Sequence, residues 1–179
     1  MKGVVFTEYI KMVEDNFGLD VSDKMIQSAN LGHIGAYTSV GTYPHEEIVQ
    51  LVVALSKLKN IEVPILLETF GKYMFNSFSN TYQNFFAGIE NSLDFLEKVE
   101  SYVHVEVVKL YPDAELPSFQ MIRHDQNHLE MIYKSERSMG HFALGLIHGC
   151  GIYYKETLEV ELEDKSGNGT EINFQIARK

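Results

Sequence analysis

The sequence lacks the features of several common classes of protein. It has a single cysteine, Cys150, in 179 residues, so it cannot form an internal disulfide or a zinc site built from several cysteines. We therefore expect a reducing location, the cytoplasm. No apolar run approaches the roughly 20 residues needed to span a bilayer. The first residues also lack the cleavage site of a signal peptide, so we predict no membrane association.

Positive charge is also scarce. The chain has 15 Lys and Arg residues against 25 Asp and Glu residues, for a formal net charge of −10 and an isoelectric point near 5.1. Nucleic-acid phosphates and anionic membrane surfaces both require clusters of basic side chains. We therefore exclude both as partners. Repeats, low-complexity tracts and linkers are absent as well.

Hydrophobic residues make up 45% of the chain, enough for the core of one domain over residues 1–179. In the first part of the chain, apolar residues recur at spacings of three and four, which predicts amphipathic helices. A segment rich in Gly, Ser, Thr and Tyr, 31–43, is predicted as a loop. The predicted helices are 4–17, about 21–30, one that starts at Pro44, 62–78 and 91–110.

After Pro112 and Pro117 the periodicity changes. Residues 118–124 and 128–136 read as two strands of a hairpin. They are followed by a helix over about 138–153 and by strands over 156–163 and 170–177. We therefore predict an α+β fold with a helical subdomain (about 1–60), a mixed subdomain (about 61–179) built on an antiparallel sheet, and a cavity where the halves meet.

The motif Y-x-S-x-R places Tyr133, Ser135 and Arg137 at i, i+2 and i+4. On a strand this spacing directs all three side chains to one face. Two hydroxyl groups and a planar guanidinium suit a ligand with carboxylates, which arginine binds with two parallel hydrogen bonds. The alternative is an ordinary half-exposed strand.

His104 lies among apolar residues on the long helix predicted over 91–110. Such a histidine is either a packed core residue or a metal ligand, because neutral imidazole is also a common axial ligand of haem iron. The residues alone leave both interpretations open.

Further motifs follow one another along nearly the whole chain, at 1–3, 35–43, 67–71, 85–86, 110–112 and 144–149. Together with His104, Pro117 and the Y-x-S-x-R motif, they resemble those of the haem nitric-oxide/oxygen-binding (H-NOX) family. This is a sensor domain also found in soluble guanylate cyclase, and the chain is similar to its stand-alone bacterial members.

The resemblance implies that haem b (iron protoporphyrin IX) is buried between the two halves. His104 would be the axial ligand of the iron, and Tyr133, Ser135 and Arg137 would bind the haem propionates. Pro117 matches the proline that helps to distort the haem in this family. A proline that merely ends the helix-to-strand connection is the alternative.

The resemblance also addresses which gas binds. Family members that hold O₂ have a tyrosine on the helix after Y-x-S-x-R, and here Phe142 occupies that position without a hydrogen-bond donor. The implied distal pocket consists of Val5, Tyr9, Met74, Phe78, Phe142 and Leu146. We therefore expect a sensor of NO that also binds CO and binds little O₂. The alternative is an O₂-binding protein that uses Tyr9 as the donor.

In this family, ligand binding releases the proximal histidine, and the resulting conformational change is read by a separate signalling protein. For a stand-alone member the implied partner is a histidine kinase or a cyclic-di-GMP enzyme. The implied pocket contains no acid or base, so we do not expect an enzyme. Two further alternatives are a haem-free carrier, in which Arg137 holds the carboxylate of an apolar ligand, and a structural adaptor.

Overall fold

The structure is a computed structural model that describes residues 1–32 and 35–179. Its elements confirm the predicted α+β class. Residues 33 and 34, which belong to the predicted 31–43 loop, lie outside the described residues, and residues 35–43 form a loop as predicted. The α-helices are α1 (Gly3–Phe17), α2 (Leu19–Ser28), α3 (His45–Lys59), α4 (Val63–Thr81), α5 (Ser92–Glu97), α6 (His104–Leu110) and α7 (Gly140–Tyr154). The strands are β1 (Ser118–His124), β2 (His128–Lys134), β3 (Leu158–Asp164) and β4 (Glu171–Arg178).

The ends of α3 illustrate why the helices lie where the sequence predicts them. Pro44 immediately precedes the helix, and Glu46 and Glu47 occupy its first turn, where the helix dipole favours negative charge. Two lysines lie in its last turn. Asn60 then ends the helix in the left-handed conformation, with φ of 53°.

The helix predicted over 91–110 is interrupted. After α5 the backbone forms a π-helical turn over Val99–Val103, and α6 begins at His104. The N–H of Val103 donates to the carbonyl of Lys98, five residues earlier, at 3.1 Å. The prediction of one regular α-helix is therefore wrong. The apolar spacing did not reveal the π turn, because the apolar residues on either side of it still recur at spacings of three and four, as they do in an α-helix.

The four strands form an antiparallel sheet in the order β1-β2-β4-β3. The predicted hairpin is confirmed, since β1 pairs with β2 and Phe119 lies opposite Tyr133. Side chains alternate between the two faces of the sheet. The inner face of β2 and β4 is buried against α5 and α7, and its residues are Leu129, Met131, Tyr133, Ile172, Phe174 and Ile176.

Two hydrophobic cores lie on either side of a close helix crossing. One core packs α1 to α4 together, the other packs α5 and α7 against the sheet, and Leu146 contacts both. The helices α4 and α7 cross at Gly71 and Gly145. A Cβ on Gly145 would lie 2.1 Å from the carbonyl oxygen of Glu68, so the two backbones meet where a side chain has no room.

The helix α4 contributes to both cores, with Phe70 and Met74 in the helical core and Phe75 in the sheet core. The division into subdomains near residue 60 therefore stays a prediction. Within the described ranges 1–32 and 35–179, no helix is both long and apolar enough to cross a membrane.

Glu156 connects three parts of the sheet half. Its carboxylate accepts hydrogen bonds from the backbone N–H of Ser92, at the start of α5, and from the hydroxyl of the same residue. Its other oxygen pairs with Arg178 on β4 at 3.1 Å. Burial acts to raise the pKa of Glu156, but these partners outweigh it and hold the pKa below its ordinary value near 4.5.

We expect Glu156→Gln to lower the free energy of unfolding at pH 7 by about 1.5–3 kcal/mol, the value of hydrogen bonds to a charged group. Because the folded-state pKa is depressed, this contribution is present above the ordinary pKa and disappears as the pH falls through the folded-state value. The difference in unfolding free energy between the variant and the unmodified protein, measured by urea unfolding, should therefore decrease as the pH is lowered. Glu159→Gln, in an exposed pair with Lys179, is the control and should change stability by less than about 1 kcal/mol. A loss of stability that is the same at all pH values would contradict the stabilising role of the ionised Glu156 carboxylate.

Candidate functional site

A cavity of about 270 Å³ lies between the helical half and the sheet. Its lining is mostly apolar, with a histidine and the Y-x-S-x-R residues among the polar contributors. Of the residues that the sequence singled out, those that line it are Val5, Met74, Phe78, His104, Pro117, Tyr133, Ser135, Arg137, Phe142 and Leu146. The fold thus brings together residues that are more than 140 positions apart in the chain.

His104 enters the cavity from the first turn of α6. Its side chain is 16% exposed, and its Nδ1 atom lies 3.1 Å from Oε2 of Glu100. Burial lowers the pKa of His104, against the opposing effect of the Glu100 carboxylate. The imidazole is therefore neutral at pH 7, and with Nδ1 engaged, Nε2 is the nitrogen that can bind a metal ion.

The Y-x-S-x-R motif has a different backbone from the one predicted. Strand β2 ends at Lys134, and Ser135, Glu136 and Arg137 form a turn in which the N–H of Arg137 donates to Oγ of Ser135 at 3.2 Å. The prediction that the strand extends to residue 136 and shows all three side chains on one face is wrong. The serine hydroxyl bonds locally to the backbone, a competition with strand pairing that is typical of this residue.

The three side chains of the motif nevertheless line the same cavity. Tyr133 is 3% exposed, and burial raises its pKa while hydrogen bonds to Ser135 and to the backbone of Met139 act in the opposite direction. Arg137 uses both arms of its guanidinium at 2.6 Å, one on the carbonyl and one on the carboxylate of Glu115. The guanidinium is thus already oriented for an oxygen-rich partner.

The part of the cavity wall that comes from α1, α4 and α7 is apolar. Every side chain that α1, α4 and α7 contribute to the lining is a hydrocarbon or a thioether. Phe142 packs on Phe70 with ring centroids 4.9 Å apart. Within the described lining, these three helices offer no hydrogen-bond donor from a side chain.

Tyr9 is not among the lining residues. It is fully buried one helical turn beyond Val5, where it contacts the edge of Phe70 at 5.0 Å. Its hydroxyl has no hydrogen-bond partner among the described residues, and burial raises its pKa. The structure therefore places Tyr9 in the helical core behind the cavity, not in its wall.

Sequence reasoning missed Glu100 and Glu115, the carboxylates that contact His104 and Arg137. Glu100 lies four residues before His104, a spacing that brings two side chains together on a helix. This signal was present in the sequence. The contact between Glu115 and Arg137 spans 22 positions and crosses a loop, so local spacing gives no indication of it.

A protein-family model described as "Haem-NO-binding" matches residues 2–162. The chain belongs to this family, the H-NOX family. The predicted resemblance is thereby confirmed, and so is the predicted fold, because H-NOX structures superpose on nearly the whole chain.

Two of the similar structures share about two fifths of their residues with this chain. The Fe(II) unliganded H-NOX protein mutant A71G from K. algicida is 40% identical and superposes with a TM-score of 0.96. The match covers 100% of this chain and 97% of that protein's chain. The H-NOX protein from Shewanella woodyi, solved with bound IWP-051 in the Fe(II)CO state, is 38% identical, with coverage of 100% and 95% and a TM-score of 0.83.

More distant relatives are similar as well, and the first of them shares the fold. An H-NOX protein from S. oneidensis in the Fe(II)NO state is 20% identical, with coverage of 100% and 99% and a TM-score of 0.91. Soluble guanylate cyclase 89Da from Drosophila melanogaster is 23% identical over 148 residues, which are 81% of this chain. The match spans only 22% of the length of that cyclase.

H-NOX domains bind haem, and the cavity has the donor set that this group requires. A neutral imidazole faces it from α6, a guanidinium and two hydroxyl groups lie at its β2 end, and the side chains from α1, α4 and α7 are apolar. Iron, propionates and a hydrophobic macrocycle each have a matching partner in this arrangement.

Proposed function

We propose that this chain is a haem-based gas sensor that binds NO and CO and binds little O₂. The observation that carries the proposal is the contrast between the two sides of the cavity. A neutral, hydrogen-bonded imidazole lies on one side, and the wall contributed by α1, α4 and α7 is apolar. The bound haem iron would supply the coordination position for the gas.

In this proposal, His104 would bind the iron through Nε2, because Nδ1 is engaged with Glu100. Arg137 would bind a propionate through its guanidinium, and the hydroxyls of Tyr133 and Ser135 would donate to the remaining carboxylate oxygens. Pro117, which lines the cavity directly before β1, would contact the macrocycle. Burying the propionates without such partners would be costly.

The haem is proposed to be of the b type, held without covalent bonds. Covalent attachment in c-type haem uses a C-x-x-C-H motif. The single cysteine of this sequence, Cys150, is fully buried, and it does not line the described cavity. A free buried thiol of this kind supports a non-covalent cofactor.

Selectivity would follow from the apolar wall. Bound O₂ carries partial negative charge and requires a donor, whereas NO and CO depend on one far less. Val5, Met74, Phe78, Phe142 and Leu146 supply none. Tyr9 is not among the described lining residues and its hydroxyl is buried, which argues against the alternative in which Tyr9 supports O₂ binding.

Signalling would pass through His104. This residue begins α6, a helix of seven residues joined to α5 through a π turn. Release of His104 from the iron would free α6 to shift relative to α1 and α4, which makes it a two-state element that the gas biases. We propose that a separate cytoplasmic signalling protein, a histidine kinase or a cyclic-di-GMP enzyme, reads this change, and that the chain is not itself an enzyme.

We expect Phe142→Tyr to introduce the missing donor. A hydrogen bond to a charged partner contributes about 1.5–3 kcal/mol, so O₂ affinity should rise by about 10–100-fold. Absorption spectra of the reduced protein during O₂ titration would measure the change. Phe142→Leu is the matched control, because it alters packing against Phe70 without adding a donor and should leave O₂ binding weak. Equal O₂ affinity in both variants would contradict the proposed basis of selectivity.

A further inference from the structure

The carboxylate of Glu100 joins the histidine helix to the sheet. Its Oε2 atom lies 3.1 Å from Nδ1 of His104 and accepts the backbone N–H of Phe119 at 3.0 Å. In the sequence, His104 follows Glu100 by four residues and Phe119 follows it by nineteen. One oxygen atom thus contacts both the imidazole of His104 and the backbone N–H of Phe119.

The architecture explains why this carboxylate finds both partners. Strand β1 lies at the edge of the sheet, so N–H groups on its outer side have no neighbouring strand to bond. Glu100 lies in the π turn over Val99–Val103, and its carboxylate contacts that edge at Phe119. Phe119 pairs with Tyr133 in the β1–β2 ladder and lies 5.7 Å from the His104 ring between centroids. Glu100 therefore connects His104 to the strand pair that also holds Tyr133.

We propose that Glu100 is a positioning residue for His104, an inference that rests on the haem-binding function proposed above. By accepting a hydrogen bond from Nδ1–H, the carboxylate selects the tautomer in which Nε2 is free for the iron. It also fixes the rotation of the ring and raises the basicity of Nε2, as outer carboxylates do for metal-bound histidines. Glu100 thereby sets the strength of the iron–histidine bond whose release is the proposed signal.

The test is the frequency of the iron–histidine stretching band in resonance Raman spectra of the reduced, haem-loaded full chain. Glu100→Gln keeps the shape and a neutral acceptor, whereas Glu100→Ala removes the acceptor. We expect the band to fall from the unmodified protein to the Gln variant and further to the Ala variant. Haem retention in Glu100→Ala should weaken by about 10–100-fold, the usual cost of losing an outer partner of a metal ligand.

Glu106→Gln is the matched control, because Glu106 lies on α6 but pairs with Lys109 at 2.6 Å. It should leave the band unmoved. If both Glu100 variants bind haem with the band of the unmodified protein, the positioning role is overturned while the haem site stands. If the unmodified chain binds no haem, the proposed function is overturned and this inference with it.

Discussion

His104→Gly is expected to abolish axial ligation of the haem and to release most of it. Among the described lining residues, His104 is the only imidazole, and burial keeps it neutral as a ligand must be. Removing the ligand itself should cost more than the roughly 10–100-fold that follows loss of an outer partner. Absorption spectra and the ratio of haem to protein after gel filtration would measure the loss.

Added imidazole provides a sharper version of this experiment. The glycine variant leaves a space the size of the missing side chain, so free imidazole should enter it and restore the ligated spectrum. His128→Ala is the control, because His128 is 53% exposed and contacts Asp125, and it should retain haem fully. Unchanged ligation in His104→Gly would mean that another residue holds the iron.

Arg137→Lys is expected to weaken haem retention even though the positive charge is kept. Arg137 presents two nitrogen atoms at 2.6 Å to oxygen partners in a fixed plane, and lysine cannot reproduce this fork. Loss of one charge-assisted hydrogen bond costs about 1.5–3 kcal/mol, so haem should leave about 10–100-fold faster. Transfer of haem to an excess of a scavenging protein would measure the rate.

Arg178→Lys is the matched control for this variant. Arg178 also uses two nitrogen atoms, on Glu156 and on the carbonyl of Gln126, but it does not line the described cavity. It should lower stability without accelerating haem loss from the folded protein. Equal rates in the two arginine variants would contradict the assignment of Arg137 to the propionates.

Helix positions could be predicted because their causes are local. The apolar spacing of α1, the proline before α3 and the change of period after Pro117 each act over a few residues. The end of β2 could not be predicted in this way. Just beyond the turn at Ser135, Ser138 adopts a φ of 51° and lies beside Gly169 of the β3–β4 loop, and the alternating pattern carries no signal of this contact.

The candidate site was predictable in part. The resemblance to the family pointed to ten of its lining residues as site residues, because aligned positions indicate which side chains meet in space. The pairing of Glu115 with Arg137 and the attachment of Glu100 to the edge of β1 depend on loop and π-turn geometry. Tyr9 was expected in the pocket because of its aligned position, but Phe70 packs beside it and it contributes no lining.

The most direct test of the central claim is the absorption spectrum of the reduced, anaerobic protein before and after addition of O₂ and then NO. We expect a haem Soret band that O₂ leaves unchanged and that NO shifts. A stable O₂ spectrum would contradict the proposed selectivity. A protein without a Soret band, even after reconstitution with haem, would contradict the haem-sensor function and favour a carrier that uses Arg137 without His104.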